Sequence, residues 1–151
     1  MKLSIIVLLF AFAFVSFRPM GSGTAHLTCK SESGRTIFKA DLQDITGLLE
    51  KAELIVDDKK LLFDSQDEVY TIFDAEKKVF TVYITGESTK EFQNGRFIEF
   101  WALPETFKII KSDRADQRYE FKARIEATEP RKDKALRIPR VELNCVLVYK
   151  I

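Results

Sequence analysis

The segment from Tyr119 to Thr128 alternates without a fault. Tyr119, Phe121, Ala123, Ile125 and Ala127 interleave with Glu120, Lys122, Arg124, Glu126 and Thr128. An apolar group at every second position marks an extended chain with one buried face; a helix would repeat every 3.6 residues. A second segment keeps the same period, with Val141, Leu143, Cys145, Leu147, Tyr149 and Ile151 in one phase. Phe38, Ala40 and Leu42 against Lys39, Asp41 and Gln43 repeat it on a shorter scale. Long period-two strands need strand neighbours, so the chain is expected to be all-β.

Turn signals divide the rest. Asp57-Asp58-Lys59-Lys60 separates Leu54–Val56 from Leu61–Phe63 as a hairpin tip would, and Asp74-Ala75-Glu76-Lys77-Lys78 separates Val69–Phe73 from Val79–Ile84. Asn94-Gly95 is a tight-turn dipeptide ahead of Phe97–Leu103, and Pro104 ends that run. Pro130 and Pro139 bracket a polar loop. Strands at this spacing favour an antiparallel small barrel or sandwich of about 8–10 strands. Ile45, Leu48, Leu49 and Ala52 share one helical face, with Asp44 as N-cap, which allows one short helix near 44–52. Gly47 opposes that helix, and a strand-turn-strand reading fits the same residues.

The first 25 residues read as an export signal. Lys2 precedes Leu3–Phe17, an uncharged apolar run too short for a membrane-spanning helix of about 20 residues and suited to a signal h-region. Gly23 and Ala25 fit the small positions of a signal-peptidase site, which makes His26 the first mature residue. Residues 26–151 then form a single β domain with no second domain or stable membrane span. Periplasmic or secreted localisation follows.

Charge and rare residues exclude more than they propose. The chain of 151 residues has 24 Lys+Arg, 23 Asp+Glu, one His and two Cys. Residues 26–151 carry 22 basic and 23 acidic side chains. No bulk field of either sign is present to hold a nucleic acid. His26 alone cannot supply the usual imidazole catalysis, and at a mobile terminus it would be badly placed for it. No phosphate loop, HExxH, CxxC or EF-hand pattern occurs, so no cofactor or metal is expected. Carboxylate pairs remain for a hydrolase, among them Asp41/Asp44, Asp57/Asp58, Asp64/Asp67/Glu68 and Glu120/Glu126. They lie beside lysines on polar faces and turns, where the raised pKa of an acid catalyst is not obtained.

Cys29 and Cys145 both fall on the inward phase of a predicted strand. An exported chain with two such thiols is expected to join them. The bridge would tie the first strand to the last, where a barrel or sandwich needs closing.

Two features point to binding. In Arg96–Leu103 both strand phases carry large groups, with Ile98, Phe100 and Ala102 on one and Phe97, Glu99 and Trp101 on the other. Something covers one face, and Phe97, Phe100 and Trp101 are the expected contacts. After Pro130 come Arg131, Lys132, Lys134, Arg137 and Arg140, with Asp133 the only acid among them. This basic segment suits an anionic partner.

A small exported β-barrel with cysteines near its two ends resembles the bacterial inhibitors of C-type lysozyme. Ser31-Glu32-Ser33-Gly34 is similar to the inhibitory loop of that family. The loop follows the first cysteine here rather than lying mid-chain, and Arg35-Thr36 replaces the basic Lys/Tyr continuation. No residue role is carried over. The sequence thus leads to an exported, non-enzymatic module that binds a small apolar ligand or an envelope or extracellular partner. The alternatives are an inhibitor of an extracellular hydrolase and a carboxylate-dependent hydrolase.

Overall fold

The computed structural model of the protein describes residues 23–43, 49–63, 67–86, 97–129 and 136–150. Ten strands carry these residues: β1 (Ala25–Lys30), β2 (Thr36–Leu42), β3 (Leu49–Val56), β4 (Lys59–Phe63), β5 (Glu68–Asp74), β6 (Val79–Thr85), β7 (Phe97–Ala102), β8 (Lys108–Ser112), β9 (Asp116–Glu129) and β10 (Leu136–Lys150). All pairings are antiparallel, in the order β4-β3-β2-β1-β10-β9-β7-β6-β5, with β8 paired to β9 beside that path. The expected all-β fold is what forms.

Chain connectivity curls the sheet. β4 and β5 lie at opposite ends of the nine-strand order, yet Phe63 and Glu68 are five residues apart. Five residues span at most about 17 Å, whereas nine flat strands would measure about 38 Å across. The sheet therefore bends until its two edges come near each other, as an open half-barrel.

The concave side holds the core. Phe38, Phe63, Phe80 and Phe100 are among the largest fully buried side chains. Phe80 meets Phe100 edge-on at 5.6 Å and Phe121 at 5.9 Å, and Phe107 stacks on Phe121 at 5.0 Å. Interlocking rings fill the interior rather than line a hollow.

Turn chemistry agrees with the sequence in two places. Asp57 and Asp58 adopt φ of 47° and 66° between β3 and β4, the left-handed pair of a two-residue hairpin. Lys78 takes φ 57° at the end of the turn into β6.

Other expectations are corrected. Leu49–Ala52 open strand β3, so the short helix near 44–52 is not formed there, and residues 44–48 lie outside the described residues. A register shift at Asp41/Leu42 pairs Leu42 with Leu49, which is why apolar spacing there imitates a helix. Pro139 lies inside β10 instead of closing a loop. The register with β9 shifts between Ile138 and Val141, and such a bulge admits a residue without an N–H. His26, expected at a terminus, pairs with Val148 and Asp41 inside the sheet. Gly23 is also packed, since a Cβ there would stand 2.5 Å from the Lys150 carbonyl oxygen.

Cys29 and Cys145 form the expected disulfide. It ties the first strand to the last, as expected, but not at a closing seam. β1 and β10 are neighbours in the middle of the sheet, with Cys29 directly opposite Cys145, so the bond staples the centre and leaves the β4/β5 seam alone.

Candidate functional site

β7 sorts its side chains by phase. Ile98, Phe100 and Ala102 point into the core, while Phe97, Glu99 and Trp101 are half-buried on the convex face. Phe100 is 0 % exposed and packs on Phe38 at 5.2 Å, so it is a core residue and not a contact residue. Phe97 and Trp101 remain on the outer surface.

The β10 bulge brings the second cluster to them. Arg140 sets its guanidinium carbon 5.0 Å from the centre of the Trp101 ring, and its Nε lies 3.4 Å from Glu126 Oε2. Phe97 pairs with Thr128, which pairs with Arg137 on the other side. An open depression of about 320 Å³ is lined by Phe97, Glu126, Thr128, Arg137 and Pro139, among others. The structure thus unites Phe97, Trp101, Arg137 and Arg140, which belong to two separate sequence clusters. Arg131, Lys132 and Lys134 lie outside the described residues.

Two larger depressions have a different character. One of about 510 Å³ lies over Thr106, Lys108, Glu120, Lys122, Asn144 and Val146; another of about 420 Å³ lies over Lys39, Asp41, Lys51, Glu53 and Leu62. Their charges are largely matched locally: Lys122 Nζ is 2.8 Å from Glu142, Lys51 Nζ 2.9 Å from Asp41, and Lys60 Nζ 2.6 Å from Glu53. The smaller depression shares Glu126 with the Arg140 ion pair, which places it beside the Trp101–Arg140 contact.

Five carboxylates are held below their ordinary pKa values. Burial pushes the Asp41 pKa up, but hydrogen bonds from His26 Nδ1 at 2.7 Å and from Lys51 outweigh it and leave the value lowered. A hydrogen bond from Lys60 lowers Glu53, and one from Lys122 lowers Glu142. The Lys77 backbone N–H lowers Asp74, and Lys111 lowers Asp116. These shifts run opposite to what a general acid needs.

The loop after β1 is braced. Ser31 donates its backbone N–H to Thr36 O at 2.9 Å, and Thr36 donates its own to Ser31 Oγ at 3.0 Å. Gly34 at φ 71° donates to Ser31 O, and Arg35 Nε reaches Asp57 at 2.6 Å. Glu32, Ser33 and Gly34 are left exposed at its tip.

Sequence reasoning missed a further part of the convex face. Tyr70 and Ile72 on β5 are each 62 % exposed, and Tyr83 on β6 lies beside Tyr70 with ring centres 6.4 Å apart. The available signal was the β5 segment itself, where Tyr70 and Ile72 in one phase are as bulky and apolar as Val69 and Phe73 in the other.

Comparison with family models, curated proteins and solved structures finds no match to this chain. Among the described residues no helix is long and apolar enough to cross a membrane.

Proposed function

We propose that this protein is an exported, non-enzymatic interaction module that holds a partner against the convex face of β7, β9 and β10. One observation carries the reading: Trp101 and Phe97 meet Arg140 and Arg137 on that face beside an open depression. Aromatic and arginine side chains are the groups that most often dominate binding energy. The filled aromatic interior supports an outer rather than an internal site. The depression is small and open, which suits a side chain of a protein partner better than an enclosed apolar ligand. The apolar Leu3–Phe17 run and the Cys29–Cys145 bond support export to a periplasm or out of the cell.

The test is photo-crosslinking in the native compartment. A photoreactive residue in place of Phe97 should give a discrete adduct, while one in place of Thr28, exposed on β1, should not. Equal labelling at both positions, or none at Phe97, would overturn the reading.

A second reading, inhibition of an extracellular hydrolase, rests on the braced Ser31–Arg35 loop. A rigid exposed tip is pre-organised for insertion into a cleft. Slowing of lysis by a C-type lysozyme, abolished by substituting Glu32 and Ser33, would favour it over the first.

A further inference from the structure

β5 closes one end of the strand order, and its edge differs from the other edges among the described residues. β4, at the opposite end, carries Lys59 and Lys60. β8 carries Lys108 and Lys111 and a register shift after Ile109. β10 runs beyond Asn144, where its ladder with β1 stops, and that stretch holds Arg137, Pro139, Arg140 and the bulge. Lysine, proline and bulges are the devices that keep an edge from pairing with another chain. From Val69 to Phe73, β5 has none of them. It pairs with β6 in unbroken register, and its charges, Glu68 and Asp74, stand at its two ends.

Both faces of this strand are incompletely covered. Outward Tyr70 and Ile72 are each 62 % exposed. Inward Val69, Thr71 and Phe73 are half-buried, although Ile84, Val82 and Phe80 opposite them on β6 are fully buried. Thr71 Oγ1 is buried and has no hydrogen-bond partner among the described residues. A buried hydroxyl without a partner is costly and rare.

We infer that β5 pairs edge to edge with β5 of a second copy, antiparallel about a two-fold axis at Thr71. The strand is self-complementary in that register. Tyr70 lies opposite Ile72 of the other copy, and Ile72 opposite its Tyr70, so both exposed apolar groups are covered at once. Val69 meets Phe73 on the inward side. Thr71 meets its twin, and facing threonines hydrogen-bond across a ladder. Glu68 falls opposite Asp74, where Lys77 Nζ, 2.9 Å from Asp74 Oδ2, offsets part of the repulsion. A strand of an unrelated protein could add to the same edge, but the match of Thr71 to itself and of Tyr70 to Ile72 favours the second copy. The axis lies on the far side of β6 from Phe97 and Trp101, so the dimer goes beyond the proposed binding face by presenting it twice.

One edge strand buries less than the roughly 800 Å² per partner of a standard interface, so the dissociation constant should be on the order of 10–100 μM. Sedimentation equilibrium of the purified, disulfide-bonded protein should show a reversible monomer–dimer equilibrium in that range. It should tighten as salt screens Glu68 against Asp74. Ile72→Lys, which sets a charge on the exposed edge, should leave a monomer. Thr71→Val, isosteric and compatible with a strand, should weaken dimerisation about fivefold. Ile109→Lys, on the β8 edge, should leave it unchanged. A monomer even at about 1 mM would overturn the inference and leave the β5 edge to a strand of another protein. A dimer that Ile72→Lys leaves intact, that Thr71→Val fails to weaken, or that Ile109→Lys abolishes would overturn it as well.

Discussion

Arg140 lies over Trp101, 5.0 Å from the ring centre, although the two residues are 39 positions apart in the chain. The contact exists because the β10 bulge around Pro139 turns Arg140 toward β7. It covers part of the only tryptophan and ties the two halves of the candidate site together. Acrylamide quenching of Trp101 fluorescence reports this cover. Arg140→Ala should increase quenching while leaving the strand signal in circular dichroism unchanged. Equal quenching in both proteins would show that Arg140 does not shield the ring.

Neighbouring residues on β7 should respond very differently to truncation. Phe100→Ala empties a fully buried site among Phe38, Phe80 and Phe121 and should cost about 3–5 kcal/mol. Trp101→Ala removes a half-buried outer group and its cation contact, at about 1 kcal/mol. Urea denaturation of both variants checks the contrast.

The Cys29–Cys145 bond closes a sequence separation of 116 residues. Constraining so long a loop in the unfolded chain is worth about 4–5 kcal/mol in the chain-entropy model. The Cys29→Ala/Cys145→Ala double variant should lose stability on that scale, read from its urea midpoint. A loss below about 1 kcal/mol would mean that the sheet centre holds without its staple.

Acid should destabilise the fold. Asp41, Glu53, Asp74, Asp116 and Glu142 are all lowered from ordinary values of 3.8 for Asp and 4.5 for Glu. Groups lowered on folding bind fewer protons in the native state, so their contribution is in place above the unfolded pKa and is lost as pH falls through the folded one. Thermal midpoints should therefore drop below about pH 4.5, and added salt should shrink the difference because the pairs are exposed. Asp41→Asn should remove part of the drop. A midpoint constant down to about pH 3 would contradict these assignments.

Much of the fold was legible because period-two alternation is a local property. β9 and β10 stand where Tyr119–Thr128 and Val141–Tyr149 predict strands, and both cysteines point inward as their phase requires. What failed depended on partners far along the chain. The bulge at Asp41/Leu42 let Leu49 and Ala52 look helical. The bulge after Ile138 let Pro139 look like the end of a loop, although Arg137 and Arg140 are strand residues. β8 carries exposed Ile109 and Ile110 side by side, so it has no alternation to read. The place of the disulfide required strand order, which no local pattern encodes. For the site, the aromatic and basic clusters were visible separately, and only the fold shows that they meet.

The most direct test of the outer-face account is the affinity of a purified, crosslink-identified partner for the wild type, Trp101→Ala, an Arg137→Ala/Arg140→Ala variant and a Glu32→Ala/Ser33→Ala loop variant. Binding should weaken by about tenfold or more in the two face variants and stay unchanged in the loop variant. Unchanged affinity in the face variants, with loss confined to the loop variant, would contradict it.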